Sequence, residues 1–134
     1  MIDVAATYPG TVLAWLLAGV LVLIQLLVAD VAGLRAGKAP GVPVAGGHDQ
    51  FLFRATRAFD NTRESLGLFV LFTLVCVAGG AEAPWVNGLA LAWVGARAAH
   101  ALCYWCDWRS ARSIAFIVSL IALGGLAVLG LLAL

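Results

Sequence analysis

The chain has 134 residues, of which 63% are hydrophobic and 11% are charged, and its mean hydropathy of +1.03 lies far above that of soluble domains. This composition excludes a soluble globular protein and indicates an integral membrane protein, with room for about four spanning helices of roughly 20 apolar residues each. A net charge of +1 provides no general basic surface for DNA or RNA, so we expect no nucleic-acid partner.

The first predicted spanning helix covers residues 11–34. Asp3 is the only charge before it, and no basic stretch precedes the apolar run, so we expect a retained anchor and not a cleaved signal peptide. The segment RAGKAPGVPVAGGHDQ that follows is rich in glycine and proline, which predicts an irregular connection. We expect His48, near the end of this connection, to be solvated.

The second predicted helix, residues 50–78, contains the charged stretch RATRAFDNTRESLGLF before it becomes apolar. Its polar residues recur every three or four positions, which places them on one stripe of a helix. A charge facing lipid at mid-membrane costs roughly 2.5–3.5 kcal/mol on insertion scales, so the stripe must face protein or water. The members of this stripe are Arg54, Arg57, Asn61 and Glu64.

The third and fourth predicted helices cover residues 85–107 and 110–134. Arg97, His100 and Tyr104 fall on one face of the third helix by the same spacing. Two polar stripes at similar depth predict a shared polar cavity between the second and third helices.

Cations outnumber carboxylates around this predicted cavity. The set comprises Arg54, Arg57, Arg63, Arg97, Arg109 and Arg112 against Asp60, Glu64 and Asp107. Guanidinium groups bind carboxylates with two parallel hydrogen bonds, so the excess favours a small ligand with more than one carboxylate. A structural alternative is that Arg57 and Arg97 form ion pairs with acidic side chains and serve only to fix helix packing.

The distribution of basic residues predicts the orientation in the membrane. Arg35 and Lys38 lie in the first connection and Arg109 and Arg112 in the third, whereas the turn around Glu82 and the N-terminus carry only acidic groups. Loops rich in lysine and arginine face the cytoplasm. We therefore expect both termini on the non-cytoplasmic side and the polar cavity open to the cytoplasm.

The three cysteines favour buried thiols over a disulfide framework, because they lie in or near apolar segments. Cys103 and Cys106 form a C-x-x-C pair, for which a redox or metal role is an alternative. One pair lacks the second pair of a zinc site, so we predict no metal centre.

Two blocks of the sequence resemble the MAPEG family, the membrane-associated proteins in eicosanoid and glutathione metabolism. The first is the run R-x-x-R-x-x-x-N-x-x-E of the second helix, and the other is ARAAHALCYWCDWRSARS, which resembles that family's third helix, connection and start of the fourth helix. The resemblance implies an all-α, four-helix membrane bundle that forms a homotrimer. It also implies a glutathione transferase or peroxidase that uses glutathione as co-substrate and acts on a hydrophobic electrophile or lipid hydroperoxide.

The resemblance also implies the roles of individual residues. Arg112 would stabilise the glutathione thiolate, with Ser113 beside it, and the residues that would bind the tripeptide are Arg54, Arg57, Asn61, Glu64, Arg97, His100 and Tyr104. The sequence departs from the family at Asp60, where several members have arginine, and at Phe116, where some have tyrosine. These departures leave a second hypothesis open, a non-enzymatic scaffold or a lipid- or anion-binding protein of the same fold.

Overall fold

The computed structural model of the protein describes residues 3–134 and contains no strand in that range. Its helices are α1 (Val4–Thr7), α2 (Pro9–Arg35), α3 (Phe51–Gly79), α4 (Ala83–Trp105) and α5 (Arg109–Leu132). The short α1 precedes four long helices that form a bundle. The all-α membrane fold predicted from the sequence is confirmed.

Three of the long helices, α2, α3 and α5, are long and apolar enough to cross a membrane. The remaining helix, α4, has 23 residues, which corresponds to about 35 Å and exceeds the hydrocarbon thickness. It carries Arg97 and His100 within its apolar length, and its crossing of the membrane stays a prediction from the sequence.

The outer surface of the bundle consists largely of exposed aliphatic side chains. On α2 and α5 these include Leu16, Leu23, Ile121 and Leu131, which are between 54% and 73% exposed. A soluble monomer rarely exposes so continuous an apolar surface, whereas lipid tails solvate it without cost. The bilayer is therefore the environment of this surface.

Helix α4 lies at the centre of the packing, because it contacts α2, α3 and α5. Its Trp93 stacks on Phe69 of α3, with ring centroids 4.1 Å apart and planes only 6° from parallel. Both rings are almost completely buried, together with Val86 and Leu126. These side chains belong to one apolar core, which extends to Tyr8 and Ala81.

One end of the bundle contains the N-terminal segment, the α3–α4 turn and the C-terminus. The Tyr8 hydroxyl donates to the carbonyl of Ala81 at 2.7 Å, and Ala133 lies directly against Gly79. Helix α3 is capped by Gly80, whose φ of 70° is the left-handed conformation that glycine adopts readily. The long connection, residues 36–50, and the α4–α5 turn, residues 106–108, therefore lie at the opposite end.

Candidate functional site

A cavity of about 310 Å³ opens at the end of the bundle formed by the long connection and the α4–α5 turn. Helices α3, α4 and α5 contribute its lining, which consists of Asn61, His100, Tyr104, Arg112, Ser113, Phe116 and Ile117. Five of the nine residues predicted to form the site therefore line one cavity. The predicted convergence of the two polar stripes is seen here for Asn61 of α3 and for His100 and Tyr104 of α4.

Arg112 enters the cavity from the first turn of α5. The α4–α5 turn is short, and Asp107 adopts a φ of 56°, a left-handed conformation that aspartate tolerates better than most residues. The turn brings the Arg112 guanidinium over the ring of Tyr104, with its central carbon 4.5 Å from the ring centroid. This distance is that of a cation–π contact, which holds the cation without neutralising it.

His48 is a residue of this region that the sequence did not reveal, and the expectation that it is solvated is wrong. It is half-buried, and its Nδ1 lies 3.4 Å from Nη1 of Arg112. Its ring also stacks near Tyr104, with centroids 6.1 Å apart and planes at 21°. A single histidine in an irregular connection has no periodicity, so no pattern could have pointed to this contact.

Arg54, predicted to bind the ligand, anchors the long connection in this structure. Its Nη1 donates to the carbonyl of His48 at 2.6 Å and to that of Asp49 at 3.2 Å. Arg54 does not line the 310 Å³ cavity. Its hydrogen bonds instead hold the backbone at His48 and Asp49 in place.

Arg97 is 1% exposed and joins three helices through neutral partners. Its Nη2 donates to Oδ1 of Asn61 at 2.6 Å and to the Thr62 hydroxyl at 3.3 Å, and its Nη1 donates to the Ser119 hydroxyl at 3.4 Å. Arginine forms several hydrogen bonds from one planar fork, which suits this junction of α3, α4 and α5.

The structural alternative of ion pairs around Arg57 and Arg97 is not what the bundle contains. Within residues 3–134 the salt bridges are Arg63 with Asp60 at 3.2 Å and Arg109 with Asp107 at 3.7 Å, both on the surface. Neither Arg57 nor Arg97 has a carboxylate within 4.0 Å in this part of the chain. The burial of Arg97 is thus supported by neutral hydrogen-bond acceptors.

Arg57 and Glu64, the other predicted ligand contacts on α3, lie outside the cavity lining and are exposed at the surface of the subunit. On a helical wheel they lie close together and about 50° from Asn61, which explains the separation. Asp60, one of the departures from the family pattern, lines a different cavity of about 460 Å³ together with Asp30 and Lys38.

His100 is buried beside the cavity, and its Nδ1 has no hydrogen-bond partner within the described chain. Its ring packs edge-on against Tyr104 at 5.0 Å and lies 5.9 Å from Phe116. Buried polar atoms are nearly always hydrogen-bonded. Nδ1 itself is enclosed by protein, so a ligand in the cavity would reach this nitrogen only after the His100 ring turns.

The cysteines are all free thiols. Cys76 is buried and donates to the carbonyl of Leu126 at 3.2 Å, Cys103 is buried, and Cys106 is exposed. In the part of the chain that the structure describes, no three histidine, cysteine or acidic side chains lie close enough together to hold a metal ion. A thiol-linked role for the C-x-x-C pair stays open.

Comparison with known proteins gives one match. The model of the MAPEG family matches residues 11–132, a range that includes every residue of the cavity lining. No curated protein and no solved structure matches the chain significantly.

Proposed function

Since the chain belongs to the MAPEG family, we propose that it is a glutathione-dependent membrane enzyme, a transferase or peroxidase acting on a hydrophobic electrophile or a lipid hydroperoxide. The observation that carries this proposal is the Arg112 guanidinium at the wall of the cavity, which has no carboxylate partner within residues 3–134. Glutathione would supply the nucleophilic thiol, and the protein would supply orientation and charge.

Arg112 would act on the ionisation of that thiol. A fixed cation near a thiol lowers its pKa and increases the fraction present as thiolate, which is the nucleophilic form. The contacts of Arg112 with Tyr104 and His48 are neutral ones, so its full positive charge remains available. The Ser113 hydroxyl, at the same cavity, donates its one proton to the Arg109 carbonyl at 3.3 Å and would become a second donor for the sulfur by rotating away from that carbonyl.

The peptide part of glutathione needs partners for two carboxylates and one ammonium group. Asn61 and the ring of His100 line the cavity and would offer polar contacts there. Arg57 and Glu64 offer a cation and a carboxylate on the adjacent surface of α3. Because these two are exposed in the single subunit, the proposal includes a homotrimer in which the site is completed between neighbouring subunits and faces the cytoplasm.

The hydrophobic substrate would approach from the lipid. Phe116 and Ile117 line the cavity and are 36% and 55% exposed in the single subunit. An apolar compound dissolved in the bilayer would reach these side chains without crossing the aqueous phase. The polar wall of the cavity would then face the glutathione thiol, and the apolar wall would face the hydrophobic substrate.

The second candidate is a non-enzymatic protein of the same fold that binds a lipid or another anion. The observation in its favour is Phe116, which presents no hydroxyl to the cavity where some family members have tyrosine. The same arginines that would bind glutathione would then bind a phosphate or carboxylate head group.

Glutathione binding separates the two candidates. Calorimetry on detergent-purified protein should show saturable binding, and the ultraviolet thiolate band should appear on saturation. Arg112→Ala should abolish the band, whereas the control Arg109→Ala should retain it, because Arg109 is exposed and pairs with Asp107. Well-folded protein that fails to bind at millimolar glutathione would favour the second candidate.

A further inference from the structure

The last part of the long connection packs against the candidate site through His48. Nδ1 of His48 lies 3.4 Å from Nη1 of Arg112. The imidazole ring also lies near two aromatic rings, with centroid separations of 5.1 Å to Phe53 and 6.1 Å to Tyr104. A connecting segment outside the helices thus contacts the cation proposed to act on the thiol.

The backbone around His48 is held in place locally. Arg54 donates to the carbonyls of His48 and Asp49, and the Gln50 amide donates to the carbonyl of Gly47 at 3.0 Å. His48 is therefore tied to the first turn of α3 and not only to the ring it touches.

The chemistry of the two groups determines the protonation of His48 in this contact. A guanidinium has five N–H donors and no acceptor, so Nδ1 of His48 must be the acceptor. In this hydrogen bond Nδ1 accepts as an unprotonated nitrogen. A neutral acceptor orients the guanidinium and leaves its charge intact, whereas a carboxylate at the same place would offset the charge and weaken its effect on a thiol.

We propose that His48 is a positioning residue, which holds the Arg112 guanidinium over the Tyr104 ring as a neutral hydrogen-bond acceptor and so directs an uncompensated cation toward the cavity. The orientation of Arg112 is a property of the protein alone. Its consequence for a thiol rests on the proposed function.

The first test measures the orientation of Arg112 without any ligand. Phenylglyoxal modifies accessible guanidinium groups, and mass spectrometry gives the rate at Arg112 relative to Arg109 in the same sample. His48→Ala should raise this ratio several-fold. His48→Asn, whose side-chain oxygen can replace Nδ1 as acceptor, should return it toward the original value, and the control Val42→Ala, an exposed position of the same connection, should leave it unchanged.

The second test measures the thiolate fraction of glutathione bound to the protein. In His48→Ala the thiolate fraction of bound glutathione at neutral pH should fall by up to about tenfold, the equivalent of one pKa unit, while the peptide's binding constant changes much less. His48→Asn should recover most of the thiolate. A role of His48 in the fold alone would instead lower the thermal midpoint and the affinity together and would not be rescued by asparagine.

The two proposals fail in different ways. An unchanged Arg112:Arg109 modification ratio in His48→Ala overturns the inference about His48, whether or not glutathione binds. A raised ratio in protein that does not bind glutathione supports the positioning role and removes the proposed enzymatic function.

Discussion

The side chains of Arg97 and Asn61 are joined by a hydrogen bond of 2.6 Å, which links the buried centre of α4 to the polar stripe of α3 at the edge of the cavity. Asn61 is the α3 residue that lines the cavity, and Arg97 sets the position of its carbonyl oxygen. The polar network inside the bundle and the candidate site are therefore one connected structure.

Arg97→Leu should destabilise the protein and weaken glutathione binding. The substitution leaves the partly buried Asn61 carbonyl oxygen without its donor. A fully buried polar group left unsatisfied costs about 1–3 kcal/mol, which is the upper range for this change. Arg97→Lys should recover little of the lost stability, because one ammonium group cannot reproduce the planar guanidinium that bonds to both α3 and α5. Thermal unfolding in detergent measures the effect, with the exposed Arg109→Leu as control. Equal midpoints for the Arg97 and Arg109 variants would contradict the network's structural role.

Arg57→Ala should weaken glutathione binding by roughly tenfold, the loss of about one charge-assisted hydrogen bond, without changing the thermal midpoint. The reason is that Arg57 is exposed and has no salt bridge in the described subunit. Arg63→Ala is the matched control, since Arg63 is also exposed on α3 but pairs with Asp60. Calorimetry on both variants measures the difference, and equal affinities would remove Arg57 from the proposed site.

The ring and the hydroxyl of Tyr104 should have separable effects. Tyr104→Phe keeps the aromatic face under Arg112, so the thiolate band of bound glutathione should persist. Tyr104→Leu removes a cation–π contact of about 0.5–2 kcal/mol and should reduce the band. Loss of the band in Tyr104→Phe would show that the thiolate depends on the Tyr104 hydroxyl and not on its ring.

Gly10→Ala should destabilise the contact between α2 and α4 by about 1–3 kcal/mol. A Cβ at this position would lie 2.8 Å from Cβ of Asn87, whose side-chain oxygen accepts hydrogen bonds from both the amide and the hydroxyl of Thr11. The control on the same helix is Gly19→Ala, because no atom lies within 4 Å of its added Cβ. Alanine is a better helix former than glycine, so this control should be neutral or stabilising by up to about 1 kcal/mol. Thermal unfolding of the two variants measures both effects. A Gly10→Ala variant as stable as the original protein would show that α2 and α4 pack less closely here.

Part of the candidate site was predictable because it follows helical periodicity. The spacing of Asn61 on α3 and of His100 and Tyr104 on α4 places them on inward faces, and the structure brings these three into one cavity. The same periodicity grouped Arg57 and Glu64 with Asn61, although a displacement of about 50° around the helix is enough to leave them on the subunit surface.

The sequence by itself determined the class of the protein, its helices and the polar stripes, because apolar length and three-to-four-residue spacing are local properties of a chain in lipid. Only the tertiary structure decided that Arg97 bonds to neutral groups on two other helices and that His48 reaches Arg112. Both contacts join residues far apart in the chain. Their partners depend on how helices cross and where an irregular connection folds back, which no local spacing records.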